Sequence, residues 1–86
     1  MATPFTYQIL TPEGPWRSGV CELILIPTSR GEIGVLANHQ ALLSDVLPGV
    51  MRVERQGVVE RVSVGAGIFE VAGNAATLLV DQAHEG

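Results

Sequence analysis

The chain has 86 residues, a length that fits one domain. It has a single cysteine, Cys21, which excludes an intrachain disulfide and a thiolate metal site. Its five basic residues are all arginines, so a Schiff-base lysine, a Walker-type phosphate lysine and a biotinyl or lipoyl attachment site are excluded. The net charge of −4 and the low aromatic content argue against nucleic-acid binding.

Turn-forming residues divide the chain into short apolar segments at intervals of roughly 8–12 residues, which is typical of strands joined by tight turns. No segment with helical periodicity and helix caps is long enough to predict a helix. In chain order, the pattern predicts strands over residues 6–10, 20–26, 32–36, 42–47, 50–55, 58–64, 68–72 and 75–80.

The most apolar of these segments is 20–26, because its run Leu23-Ile24-Leu25-Ile26 is hydrophobic on both faces. Such a run predicts a central strand. It is also the longest apolar run of the chain, and it is far shorter than the roughly 20 residues that a membrane-spanning helix needs. Since the first residues lack the basic start and apolar core of a signal peptide, we expect the protein to stay inside the cell.

Two hairpins are predicted in the second half of the chain. Gln56-Gly57 separates two alternating segments and suits a two-residue turn, and Gly73-Asn74 does the same between the last two strands. Across the first hairpin we expect Glu54-Arg55 and Glu60-Arg61 to pair their charges, each pair contributing a few tenths to about 1 kcal/mol.

These elements predict an all-β fold. About 8–10 short strands in one small domain must fold onto themselves, so we expect a two-sheet antiparallel β-sandwich or flattened barrel. The domain is predicted to span residues 1–86, with frayed termini at 1–4 and 82–86. Trp16 and Phe69 are expected in the core or over a sheet edge.

The polar residues form no catalytic or metal-binding pattern. Cys21 is expected to be a small buried side chain, and the two histidines, His39 and His84, stand far apart in the sequence. Gly65 and Gly67 lack the helix and the third glycine of a dinucleotide site, so they predict a bend between strands. Solvated strand positions are expected for three glutamates: Glu54, Glu60 and Glu70.

Two function classes are open to a small all-β domain, a ligand-binding module and a metal enzyme. A small ligand-binding module would need convergent polar groups around a cavity, for which a chain of this length has little room. A minimal metal enzyme would need at least three ligands, and two distant histidines argue against it.

The segment 29–49 carries the most informative pattern. It contains Gly31-Glu32-Ile33-Gly34, then His39-Gln40-Ala41-Leu42-Leu43, then Pro48-Gly49, and in this order the motifs resemble the epsilon subunit of F-type ATP synthase. The glycine-rich run 65–71 is similar to a later segment of the same family, and the likeness extends over roughly residues 6–84.

This resemblance implies a β-sandwich that has no catalysis or cofactor of its own and acts as a clamp in the central stalk. In the family one side of the sandwich packs on the gamma subunit, and the matching positions here are Thr11, His39 and Ser44. The end loops seat on the membrane ring of c subunits, and the matching turn here carries Arg30, Glu32 and Ile33. An exposed Glu32 is expected to pair with arginines of that ring. The subunit is expected at the cytoplasmic side of the plasma membrane, bound peripherally and supporting proton-driven ATP synthesis.

Two departures from the family pattern change what is expected. Family members usually have Pro-Gly before the histidine, whereas this chain has Ala37-Asn38. Because asparagine tolerates the left-handed region, we expect a similar turn there. Many members continue into a C-terminal helical hairpin that inhibits ATP hydrolysis, and in some cases this hairpin binds ATP. This sequence has no such segment, so both properties are expected to be missing.

Overall fold

A computed structural model of the protein describes residues 3–86, in which ten β-strands and no helix occur. No helix in this range therefore has the length and hydropathy needed to cross a bilayer. The strands are β1 (Phe5–Thr11), β2 (Gly14–Cys21), β3 (Leu23–Thr28), β4 (Gly31–Val35), β5 (Leu42–Val46), β6 (Gly49–Arg55), β7 (Val58–Val64), β8 (Gly67–Ala72), β9 (Ala75–Val80) and β10 (Ala83–Glu85).

The strands form two five-stranded sheets that pack face to face. The first sheet has the order β2-β1-β9-β8-β5, and the second has the order β10-β7-β6-β3-β4. The predicted two-sheet sandwich is thus confirmed, although one pair, β1 with β9, is parallel rather than antiparallel. Both strands of that pair are odd-numbered, and in this meandering chain all odd-numbered strands run toward the same end of the sandwich.

The core lies between the two sheets and is formed by the inward positions of alternating strands. Its largest fully buried side chains include Phe69, Ile9, Ile24 and Met51. Trp16 packs against the core as a partly buried residue, so both aromatic residues lie where the sequence predicted. Burial of these side chains, at roughly 25 cal/mol per Å² of apolar surface, supplies the main stabilisation of a domain without disulfides.

Several turns have the backbone conformation that their residues predict. Gln56 and Gly57 have positive φ angles of 51° and 79°, and Arg55 pairs with Val58 across them, so the predicted two-residue hairpin is confirmed. The second predicted hairpin is confirmed in the same way, with Ala72 paired to Ala75. Asn38 has a φ of 62°, which confirms that asparagine takes the left-handed position here.

The predicted strand over 20–26 is wrong, because the chain changes sheets inside it. Residues up to Cys21 belong to β2, and those from Leu23 onward belong to β3, which is an inner strand of the second sheet as its apolar run predicts. Glu22 makes the crossing: its backbone N–H donates to the carbonyl of Glu54 at 2.8 Å. Its side-chain Oε1 accepts from the N–H of Gln56 at 2.9 Å.

The predicted frayed terminus at 82–86 is also wrong for β10, which pairs antiparallel with β7. Ala83 is buried, and the N–H of Gly86 donates to the carbonyl of Arg61 at 2.9 Å. At the other terminus, residues 1 and 2 lie outside the described residues, while Thr3 and Pro4 are exposed and belong to no strand.

The expected charge pairs across the β6–β7 hairpin do not form. The register sets Arg52 opposite Arg61 and Val53 opposite Glu60, so no acid faces a base directly. Glu60 instead pairs with Arg17 of the first sheet, with 3.4 Å between Nη1 and Oε2. Sequence spacing suggested partners within the hairpin, but the register decides which side chains meet.

The sandwich has two ends, which we name by one residue each. The odd-numbered strands run toward the Arg30 end, where the β1–β2, β3–β4 and β5–β6 connections lie. The even-numbered strands run toward the His39 end, where the β4–β5 loop and the Gln56-Gly57 and Gly73-Asn74 turns lie.

Candidate functional site

The β3–β4 hairpin projects its tip, Ser29-Arg30, at the Arg30 end. Thr28 is a buried polar residue at its base, and its hydroxyl donates to the carbonyl of Gly31 at 2.7 Å. The same hydroxyl oxygen accepts from the N–H of Arg30 at 3.1 Å. Gly31 has a φ of 100°, which residues with a side chain rarely adopt, so the turn requires glycine at this position. The tip backbone is therefore held firmly while the Arg30 side chain is exposed.

A second contact ties this hairpin to the first sheet. Both carboxylate oxygens of Asp45 in β5 accept from the backbone N–H of Ser29, at 3.3 Å each. Hydrogen bonding from Ser29, chiefly from its side chain and to a smaller extent from its backbone N–H, holds the pKa of Asp45 below its ordinary value. The N–H of Leu47 also donates to the carbonyl of Pro27 at 3.0 Å. The hairpin of the second sheet is thus anchored to an edge strand of the first.

The three predicted ring-contact residues share this hairpin but face different ways. Arg30 lies at the exposed tip. Glu32 lies on the outer face of the second sheet, where Nη2 of Arg52 is 3.1 Å from both of its carboxylate oxygens. Ile33 points inward and packs, partly buried, against the core. Glu32 is therefore exposed as predicted, but it is already engaged by an arginine of its own chain that sequence reasoning did not single out.

The outer face of the first sheet carries an apolar row, formed by the exposed Leu79, Ile68 and Leu43 and the half-buried Leu10. Leu10 pairs with Leu79 and Leu79 with Ile68, while Leu43 lies one step along, opposite Glu70. Leu43 is 68% exposed, and Ile68 and Leu79 are each 47% exposed. The charged residues that alternate onto this face are two acids, Glu70 and Asp45. Sequence reasoning missed this row, although leucine and isoleucine at outward strand positions were its signal.

The three predicted gamma-contact residues all belong to the first sheet or to the loop that leads into it, but they do not meet. Thr11 lies at the Arg30 end, where its hydroxyl donates to the carbonyl of Gly14 at 3.2 Å. Ser44 lies in the middle of edge strand β5, beside Asp45. His39 lies at the opposite end, with Nδ1 2.8 Å from the carbonyl oxygen of Gln40. They are therefore spread over the domain rather than gathered into one compact site.

Other polar groups of the described residues offer little chemistry. Within residues 3–86, no three side chains of the His, Cys, Asp and Glu types gather as a metal site would require. Cys21 is fully buried, and this burial raises the pKa of its thiol to about 12. A shallow groove of about 370 Å³ crosses β2, β1 and β9 of the first sheet, and small residues such as Gly19 and Ala75 line it.

The comparison with known families decides where this arrangement belongs. Residues 4–86 match the family described as ATP synthase, Delta/Epsilon chain, beta-sandwich domain. The chain belongs to this family. The epsilon-subunit resemblance seen in the sequence, and the β-sandwich it implied, are thereby confirmed.

Individual relatives agree with this assignment. The chain is 38% identical over 86 residues to the ATP synthase epsilon chain of Desulfitobacterium hafniense, covering all of this chain and 65% of the relative. It is 35% identical over 82 residues to the epsilon chain of Sulfurihydrogenibium, covering 94% of this chain and 61% of the relative. The chain thus spans somewhat less than two thirds of the length of these ATP synthase relatives.

Solved structures show the same fold at lower sequence identity. A chain in the mitochondrial ATP synthase of Euglena gracilis, solved with its c-ring, superposes with a TM-score of 0.86 at 22% identity, covering 92% of this chain and 51% of that chain. A chain in the central stalk and c-ring structure from Tetrahymena thermophila superposes with a TM-score of 0.80 at 14% identity, covering 98% of this chain and 68% of that chain. Both chains therefore share the sandwich fold of this domain although most of their residues differ from it.

Proposed function

We propose that this domain is a non-catalytic element of the central stalk of an F-type ATP synthase, binding the gamma subunit and the c ring. In this role it has no cofactor and passes rotation between its two partners, in support of proton-driven ATP synthesis. The observation that carries the proposal is the exposed apolar row on the first sheet, in a domain whose family is that of ATP synthase delta and epsilon chains.

The first sheet supplies the surface for gamma. Four leucine and isoleucine side chains stand together on its outer face, and an apolar patch of this kind marks a protein–protein contact. Thr11 and His39 lie at opposite ends of this sheet, so a partner that covers its length is able to contact both. Ser44 lies opposite the buried Phe69 and is half-buried, so it borders the contact only along the edge of β5. A specific interface buries about 800 Å² on each partner, and a five-stranded face suits that size.

The Arg30 end supplies the surface for the c ring. Its β3–β4 hairpin carries Arg30 and Glu32, and Ile33 anchors it to the core. Because this end lies at the edge of the gamma-binding sheet, one domain is able to contact both partners at once. Seating on the ring would hold the domain peripherally at the cytoplasmic side of the membrane.

Binding to gamma is the direct test. The purified domain is mixed with its cognate gamma subunit, and a stoichiometric complex is expected on size-exclusion chromatography. Ile68→Glu should prevent co-elution, because it places a charge in the centre of the apolar row. Val50→Glu is the matched control, since Val50 and Ile68 are both 47% exposed but Val50 lies on the outer face of the second sheet.

Two results would contradict this proposal. If Val50→Glu prevents co-elution and Ile68→Glu does not, gamma binds the second sheet instead. If the unmodified domain fails to co-elute with gamma and binds a small metabolite tightly, the protein is the small all-β ligand-binding module considered from the sequence.

A further inference from the structure

The hairpin at the Arg30 end carries two charges of opposite sign, and only one of them is already engaged. Glu32 is held by Arg52, whose Nη2 is 3.1 Å from both carboxylate oxygens. None of the three ion pairs formed within residues 3–86 includes Arg30. The other nearby acid, Asp45, accepts from the backbone of Ser29.

We propose that Arg30, rather than Glu32, is the charge through which this hairpin recognises its partner, and that the partner presents a carboxylate to it. This inference rests on the proposed seating of the Arg30 end on the c ring. It adds which chemical group of the ring meets Arg30, namely a carboxylate. Guanidinium and carboxylate groups form two parallel hydrogen bonds, which makes such a contact specific as well as strong.

The charges around Glu32 oppose an incoming cation. An arginine from the partner would have to displace Arg52 or share the carboxylate with it. A second guanidinium at Glu32 is repelled by that of Arg52, whereas a carboxylate approaching Arg30 displaces none of the ion pairs formed within residues 3–86.

The backbone beneath Arg30 favours the same assignment. Thr28 and Gly31 fix the turn, and Asp45 fixes Ser29 beside it. Since this backbone is already ordered, binding has to order only the Arg30 side chain, which lowers the entropic cost of the contact.

The experiment measures the affinity of the complex between this chain and its cognate gamma subunit for cognate c rings in nanodiscs, at low and high salt. Arg30→Gln should weaken binding about tenfold, as expected for a lost charged hydrogen bond, and should reduce the salt dependence. Glu32→Gln should change the affinity less than about threefold, consistent with an exposed ion pair. Arg55→Gln is the matched control, because it removes an exposed arginine near the opposite end.

A second set of c rings completes the test. In these rings, the acidic residues of the c-subunit loops that face this domain are changed to the corresponding amides. The affinity of these rings for the unmodified complex should equal the affinity of normal rings for the Arg30→Gln complex. Combining the changed rings with the Arg30→Gln complex should lower the affinity no further. A melting temperature for each variant and gamma co-elution confirm that the domain is folded and assembled.

Opposite results separate this inference from the proposed function. If Glu32→Gln weakens ring binding more than Arg30→Gln does, and Arg52→Gln strengthens it, then Glu32 is the contact charge. The inference then fails while the ring seat stands. If the unmodified complex does not bind the rings at all, the ring seat itself is wrong.

Discussion

Asp45 accepts from the backbone N–H of Ser29 with both carboxylate oxygens, and this contact closes one open side of the sandwich. The opposite side is closed by Arg17, which reaches from β2 to Glu60 and Glu85 in the second sheet. Both residues stand on edge strands of the first sheet, β5 and β2. Each side of the hydrophobic core is thus bordered by one charged group that links the two sheets.

The Asp45 contact predicts a specific pH dependence. The folded pKa of Asp45 is lowered, chiefly by its hydrogen bonds with Ser29, so its carboxylate stabilises the fold above the unfolded value of about 3.9. That contribution is lost as the pH falls through the folded pKa. Asp45→Asn should therefore lower the melting temperature at neutral pH, and the difference from the unmodified protein should shrink as the pH is lowered toward about 3. A difference that stays constant over this range would show that the Asp45 charge is not responsible.

Arg17 predicts how firmly β10 is held. Its guanidinium lies 2.9 Å from Glu85 and 3.4 Å from Glu60, and its Cζ is 4.5 Å from the centre of the Trp16 ring. Arg17→Gln should destabilise the domain by about 1 kcal/mol, the sum expected of exposed ion pairs and a cation–π contact. Hydrogen exchange of the β10 amides should become faster.

Arg61→Gln is the control for this change. Arg61 is an exposed arginine on the strand that pairs with β10, and it takes part in none of the three ion pairs formed within residues 3–86. Its effect on stability should stay within about 0.5 kcal/mol. Equal effects of the two substitutions would mean that loss of positive charge in general, rather than the Arg17 contacts, causes the destabilisation.

The parts of the fold that the sequence predicts are those with local signals. The turn at Gln56-Gly57 is predictable because Gly57 readily adopts a positive φ and alternating strands flank the pair. β2 was missed because it is an edge strand that contains Pro15 and a bulge at Trp16, so its pattern is neither apolar nor regular. β10 was missed because three residues are too few to show alternation.

The candidate site likewise has features with a local sequence signal and features without one. The glycine-bounded motif located the β3–β4 hairpin and its charges, because the turn needs Gly31 at a positive φ. The partners of those residues are not local, however. Arg52 is 20 positions from Glu32, and Asp45 is 16 positions from Ser29. Such contacts depend on which strands become neighbours and in what register, which periodicity does not specify.

Cys21 should be nearly unreactive in the folded protein. It is fully buried, and its thiol pKa is raised to about 12 by burial, so very little thiolate exists at ordinary pH. Alkylation by iodoacetamide at about pH 8 should be slower than in urea-unfolded protein by roughly a thousandfold. Rapid labelling of the native protein would show that the β2–β3 crossing opens readily and that the thiol is accessible there.

Gly67 is predicted to tolerate no side chain, whereas Gly65 should tolerate one better. A Cβ atom on Gly67 would overlap the backbone carbonyl of Leu79, which is fixed in the β8–β9 pairing. On Gly65 it would overlap mainly the side chain of Asp81, which is exposed and able to turn away. Gly67→Ala should therefore destabilise the domain by about 2–3 kcal/mol, the range for overpacked sites, and Gly65→Ala by less. Urea denaturation of the two variants under identical conditions provides the measurement. If Gly65→Ala is the more damaging change, the contact between Asp81 and the bend is as rigid as the sheet itself.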